Sequence, residues 1–186
     1  MISIIQLWLP ILVSAVGVFV ASSLVHMVFK WHNADYLKLT NEDEVAAALR
    51  KSGAPPGQYV IPHCLDMKDL QTQDMQQKFQ EGPVGYINLR PNGMPNMGKS
   101  LGQWFALSVL ISLLAAIVAG AALPIGAVRC SAFIMTGLLA FAAYGCGSIS
   151  GGIWKGQTWI SVFRDLLDAV IYGAVTGGVF AWLWPH

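Results

Sequence analysis

The chain has 186 residues, of which 55% are hydrophobic and 11% charged, and its 11 Lys and Arg against 10 Asp and Glu give a net charge of +1. Average proteins carry about 25% charged residues, and here the deficit is gathered into long charge-free blocks, the pattern of an integral membrane protein. The near-zero charge gives no basic field for nucleic acid. The three cysteines, Cys64, Cys130 and Cys146, are too few and too scattered for a disulfide framework.

The first apolar block runs from about Ile4 to Phe29. It lacks a basic leading region and a small-residue cleavage site, and it exceeds the apolar core of a signal peptide. It is therefore expected to stay as transmembrane helix 1 (residues 1–30), bent near Pro10.

Residues 31–100 read as a small α+β loop domain. Thr40 or Asn41 is placed to cap a short helix over EDEVAAALRKS, ended by Gly53. Ala54-Pro55-Pro56-Gly57 breaks the chain before an extended Gln58–Ile61. A second helix is expected from Thr72 to Glu81, stopped by Gly82-Pro83, and a strand from Val84 to Leu89 that pairs with Tyr59–Ile61. A unit of this size has little core of its own, so it is expected to lean on the helices or on a partner. Trp31, Tyr36, Tyr59 and Tyr86 are its candidate anchors.

Residues 101–186 hold three further spans, at about 101–122, 131–154 and 159–184. Each is long enough to cross a hydrocarbon core of ~30 Å at ~1.5 Å per residue. The short link LPIGAVRC predicts an antiparallel hairpin of the second and third spans, and Lys155-Gly156-Gln157-Thr158 joins the third to the fourth. The fold class is thus an all-α integral membrane protein, with four transmembrane helices and an α+β loop domain between helices 1 and 2. Lys30, Lys38, Arg90, Lys99 and Lys155 fall on one side, with Arg129 alone on the other. The bias of basic residues toward the cytoplasm then predicts a multi-pass protein of the cell inner membrane, both termini outside the cytoplasm and the long loop inside. Trp31, Trp104, Trp154 and Trp159 fall at the inner span ends, and Trp8, Trp182 and Trp184 at the outer.

GMPNMGKS, Gly93 to Ser100, matches the phosphate-loop pattern at every defined position. That loop needs a strand of a parallel sheet before it and a soluble helix after it. Here the helix that follows is a membrane span, so the match is read as coincidence and no nucleotide site is assigned. Ser100 and Gln103 form S-x-x-Q, a capping box for that span, while Lys99 can snorkel to the headgroups.

In the fourth span Ala169, Gly173, Gly177 and Ala181 recur every fourth residue, and the third carries Gly147 and Gly151. Small residues at this spacing let helices approach to backbone contact. The same stripes serve packing within one bundle or assembly with another copy or subunit. At the start of the fourth span lie Arg164, Asp165 and Asp168, at a depth that His26 of the first span should share. Ionisable groups inside a span are expensive and become functional candidates. Arg164 and Asp168 are spaced to pair, which makes an interfacial salt bridge the plain reading and a proton or cation site the sharper one. His63, Cys64 and Met67 gather three soft or borderline ligands, with Met75, Met94, Met97 and His32 in the same domain, which suits copper or another soft metal. No other cofactor is predicted, and a single histidine within the spans argues against a two-histidine haem.

No nucleophile elbow, metalloprotease helix or triad signature is present, so no catalytic residues are assigned. The leading expectation is a non-catalytic membrane subunit or homo-oligomer in contact with lipid, assembled through small-residue helix faces, with no nucleic-acid partner. A small-solute or proton-coupled transporter using Asp168 with His26 or Arg164 is the alternative. A metal-handling protein using His63, Cys64 and Met67 comes third.

Overall fold

The computed structural model describes residues 2–186 and divides the chain into two compact units. The helical unit comprises residues up to Tyr36, Asn96–Ile153 and Gln157–His186; the other comprises Leu37–Pro95 and Trp154–Gly156. The boundaries thus fall after Tyr36 and before Asn96, not after Lys30 and Ser100 as the sequence suggests, so Trp31, His32 and Asp35 belong with the long helices.

Among the described residues, four helices are long and apolar enough to cross a membrane: Ile4–Phe29, Met97–Ala122, Arg129–Trp154 and Trp159–Trp182. In the first, a 3-10 turn at Ile4–Leu7 leads into α1, Trp8–Leu24, and a π-helical turn follows at Val25–Phe29. The irregularity lies at Leu7, three residues before Pro10. Pro10 falls in the first turn of α1, where its missing N–H breaks no helical bond.

In the smaller unit, α2 spans Glu42–Ser52 and ends on Gly53 at φ 66°, a left-handed conformation that glycine adopts without a Cβ clash. Asn41 takes the N-cap position, but its side chain bonds Glu44 and not the helix backbone. The next helix, α3 at Gln73–Glu81, is capped by the Thr72 hydroxyl, which accepts from the Met75 N–H. Strands β1, Gly57–Ile61, and β2, Gly85–Leu89, pair antiparallel with Tyr59 opposite Ile87.

The remaining long helices are α4, Met97–Ala122, α5, Arg129–Trp154, and α6, Trp159–Trp182. Asn96 caps α4 by accepting from the Lys99 N–H. Ser100, expected to open this helix, lies inside it, because Asn96 offers a cap one turn earlier, directly after Pro95.

In the helical unit α1 packs against both α4 and α6. The hydroxyls of Ser14 and Ser112 meet at 3.0 Å between α1 and α4, both fully buried. Trp104, early in α4, lies 5.7 Å from Tyr144, late in α5, as an antiparallel hairpin requires. Packing of α6 on α5 uses the small residues. A Cβ on Gly173 would stand 2.8 Å from the Gly137 carbonyl oxygen, one on Gly177 2.7 Å from that of Phe133, and one on Gly145 2.7 Å from the Ala169 Cβ. The faces of Ala169, Gly173 and Gly177 are therefore filled by α5 of the same chain. Ala181 is half-buried, Gly147 meets open space, and Gly151 faces the Gln157 side chain.

An apolar core closes one end of this unit, with Leu7, Ile11, Ala116, Ala119, Ala132, Phe180 and Trp184 buried together. Trp184, assigned from sequence to an outer interface, is 1% exposed, and its indole N–H donates to the Pro124 carbonyl at 3.1 Å. It follows the end of α6 at Trp182 and folds back over the core. Trp8 and Trp182 remain exposed.

Candidate functional site

The other end of the helical unit is polar. After the π-helical turn the chain reverses at Lys30, a left-handed residue with φ 55°. A 3-10 turn then runs from Trp31 to Asp35. Side chains three apart eclipse in such a turn, which brings His32 Nδ1 to 2.8 Å from Asp35 Oδ2. The turn lies against the face of α6 that carries Ser161, Arg164, Asp168 and Tyr172, spaced three to four residues apart.

Asp35 accepts from the Ser161 hydroxyl at 2.8 Å and pairs with the Arg164 guanidinium. Asp168, 5% exposed, accepts from the Trp31 indole N–H at 3.1 Å through Oδ1. Its Oδ2 meets His32 Nε2 at 3.0 Å and accepts from the Tyr172 hydroxyl at 3.3 Å. The pair expected between Arg164 and Asp168 is thus replaced. Arg164 goes to Asp35, which the reversed chain delivers, and Asp168 takes histidine and indole partners. Asp165 accepts from the Gln157 amide at 2.9 Å.

His26 completes the group. Its Nε2 lies 4.0 Å from Asp168 Oδ2, and its Nδ1 is 3.0 Å from the Ser22 carbonyl. A carbonyl only accepts, so Nδ1 carries a proton, and Nε2 is the ring nitrogen turned toward Asp168. The rings of His26 and His32 lie 4.9 Å apart and 11° from parallel.

Both nitrogens of His32 face carboxylate oxygens, an arrangement satisfied by the doubly protonated ring. Burial lowers the His32 pKa, but hydrogen bonds to Asp35 and Asp168 and the charges of both outweigh it, so the net direction is upward. For Asp35, burial works to raise the pKa. Its hydrogen bonds to Ser161, His32 and Arg164 prevail and hold it below the ordinary carboxylate value. Asp35, Asp165 and Asp168 together bring three negative charges, against one on Arg164 and one on a protonated His32. One negative charge is left over.

A cleft of about 230 Å³ opens beside this charge, lined by His26, Trp104, Tyr144, Ser148, Asp165, Asp168 and Tyr172 among others. The rings of Trp104, Tyr144 and Tyr172 stand 5.3–6.0 Å from one another. Trp104 is fixed by its indole N–H, which donates to the Ser22 hydroxyl at 2.8 Å.

Of the four polar residues singled out in sequence, His26 and Asp168 meet, while Arg164 and Asp165 flank them with partners of their own. Sequence reasoning missed Asp35, Ser161 and Tyr172, counted Tyr144 only among the few polar residues of the spans, and put Trp31 and His32 in the loop domain. The available signal was His32 and Asp35, three apart and within six residues of the first span's end. Among the described residues, His26, His32 and Asp168 bring ligand atoms within 4.8 Å of one another. His63 and Cys64 belong to no such group; the Cys64 thiol turns to the Asp66 carbonyl, and Met67 is 75% exposed. Around Gly93–Ser100, β2 has antiparallel β1 as its partner in a two-stranded sheet, not the parallel sheet of a phosphate loop. No protein-family model, curated protein or solved structure matches this chain.

Proposed function

We propose that this chain is a multi-pass integral membrane protein that binds a cation at Asp168 and belongs to the transport class. The observation that carries the reading is Asp168 itself. It is a carboxylate 5% exposed, nine residues inside an apolar helix, faced by two imidazoles and open to a cleft that holds one unbalanced negative charge. A charge in such a place is costly unless function needs it. Tyr144, Tyr172, Ser148 and Trp104 supply the polar lining, from three different helices, that the sequence reading lacked. The subunit reading loses support because α5 already covers Gly173 and Gly177.

The test uses the full chain in phosphatidylethanolamine–phosphatidylglycerol vesicles, with pyranine for proton entry and a zinc-sensitive dye for Zn²⁺ entry. Wild type should carry one of these above empty vesicles, and Asp168→Asn should return to background while eluting as a folded species. Absence of both fluxes in wild type, or equal flux in Asp168→Asn, overturns the reading.

A further inference from the structure

We propose that His26, His32 and Asp168 bind a divalent first-row transition-metal ion, through two imidazole Nε2 atoms and one carboxylate oxygen. This rests on the cation reading above and names the class of cation.

The donors converge. His32 Nε2 and His26 Nε2 both approach Asp168 Oδ2, at 3.0 and 4.0 Å. Ligand bonds of about 2.0–2.2 Å at tetrahedral angles put donor atoms about 3.3 Å apart. The His32–Asp168 pair already stands near that separation. His26 has to close on Asp168 by less than 1 Å and turn out of its near-parallel stack on His32, within a group whose ligand atoms span up to 4.8 Å; its side chain, 54% exposed, has the room to do so.

The groups behind the donors match as well. Metal-bound histidines almost always donate their other ring N–H to a carboxylate or a backbone carbonyl, which fixes tautomer and ring orientation. Here Asp35 takes His32 Nδ1 and the Ser22 carbonyl takes His26 Nδ1. Trp31 donates to Asp168 Oδ1, while Oδ2, which also accepts from the Tyr172 hydroxyl, is the oxygen that both imidazoles face. A divalent ion that displaces the proton on His32 Nε2 engages all three donors and balances the two negative charges then left by Asp35, Asp165 and Asp168 against Arg164. Two imidazoles out of three donors select zinc, cobalt or iron over magnesium and calcium, which prefer oxygen. Further coordination positions would open to the 230 Å³ cleft.

The full chain, purified in detergent through a tag without histidine and stripped with chelator, is titrated with Co²⁺ and read by its visible d–d absorption. One Co²⁺ per chain is expected, displaced by Zn²⁺ and not by excess Mg²⁺. His26→Gln should weaken binding at least about tenfold, and Asp35→Asn, which replaces the outer carboxylate by a neutral amide, about 10–100-fold. Because His26 is half exposed, its variant tests ligation even if His32→Ala fails to fold. Retained affinity in the His63→Ala, Cys64→Ser double variant supports the assignment. Absence of saturable Co²⁺ binding, undiminished affinity in His26→Gln, or loss in the His63/Cys64 variant overturns it. Vesicle flux without Co²⁺ binding would overturn the metal and leave transport standing; Co²⁺ binding without flux would do the reverse.

Discussion

Adding one methyl group to either of two helix glycines should have opposite effects. At Gly177 a Cβ would stand 2.7 Å from the Phe133 carbonyl oxygen and 3.3 Å from the Gly137 Cα, against an ordinary contact distance of 3.4 Å or more. The Phe133 ring, 3.0 Å away, can swing aside, but the carbonyl oxygen and the Gly137 Cα are backbone, so α5 and α6 must separate locally by about 0.7 Å. Overpacking of this kind costs about 1–3 kcal/mol. At Gly147 a Cβ meets nothing within 4 Å. There alanine gains helix propensity, a benefit of up to about 1 kcal/mol. That gain is common to both sites, so the two variants should differ by the overpacking term, about 1–3 kcal/mol. At roughly 2–4 °C per kcal/mol for a chain of this size, that is a gap of several degrees in Tm. Thermal unfolding followed by tryptophan fluorescence in detergent, with the oligomeric state checked by light scattering, measures it. If Gly177→Ala unfolds at the wild-type temperature while an oligomer dissociates, the glycine face belongs to an interface between chains and the intramolecular packing argument fails.

Asp35→Ala should destabilise the metal-free protein by about 3 kcal/mol, the lower end for breaking a buried pair, because the Arg164 side chain keeps 22% exposure; a Tm unchanged from wild type would contradict the clamp. Ser161→Ala, which removes one neutral donor to Asp35, should cost about 1 kcal/mol in the same assay. The Ser14–Ser112 contact between α1 and α4 should show a coupling of about 0.6 kcal/mol in a Ser14→Ala, Ser112→Ala cycle, and zero coupling would mean that each hydroxyl bonds within its own helix. If the loop is cytoplasmic, a membrane-impermeant maleimide should reach Cys64 in the Cys130→Ser, Cys146→Ser background only after the cells are permeabilised; labelling of intact cells would invert the orientation.

Much of the architecture was legible without coordinates. Charge-free runs of more than twenty residues admit few structures other than long helices, so the first three spans emerged from them and the fourth from the apolar run after Asp168, with ends displaced by a few residues. Gly53, Thr72 and Gly82-Pro83 marked the ends of the short helices because capping and chain-breaking are local effects. The chain breaks at Ala54–Gly57 and Gly82-Pro83 placed β1 and β2.

The site was only half legible, and the reason is physical. An ionisable residue inside an apolar run stands out by its cost, which is how His26 and Asp168 were found. Their partners lie more than a hundred positions away along the chain, and nothing local in Arg164 says that it prefers Asp35 to Asp168. That choice depends on the reversal at Lys30, a non-glycine residue in a left-handed conformation that no propensity predicts. The small-residue stripes were equally ambiguous, since spacing reveals a face made for close approach but not which helix approaches. Sequence alone determined which segments are helices and which residues are costly to bury. Tertiary structure decided the pairing, because charges and close-packed faces are satisfied by whatever the fold brings near.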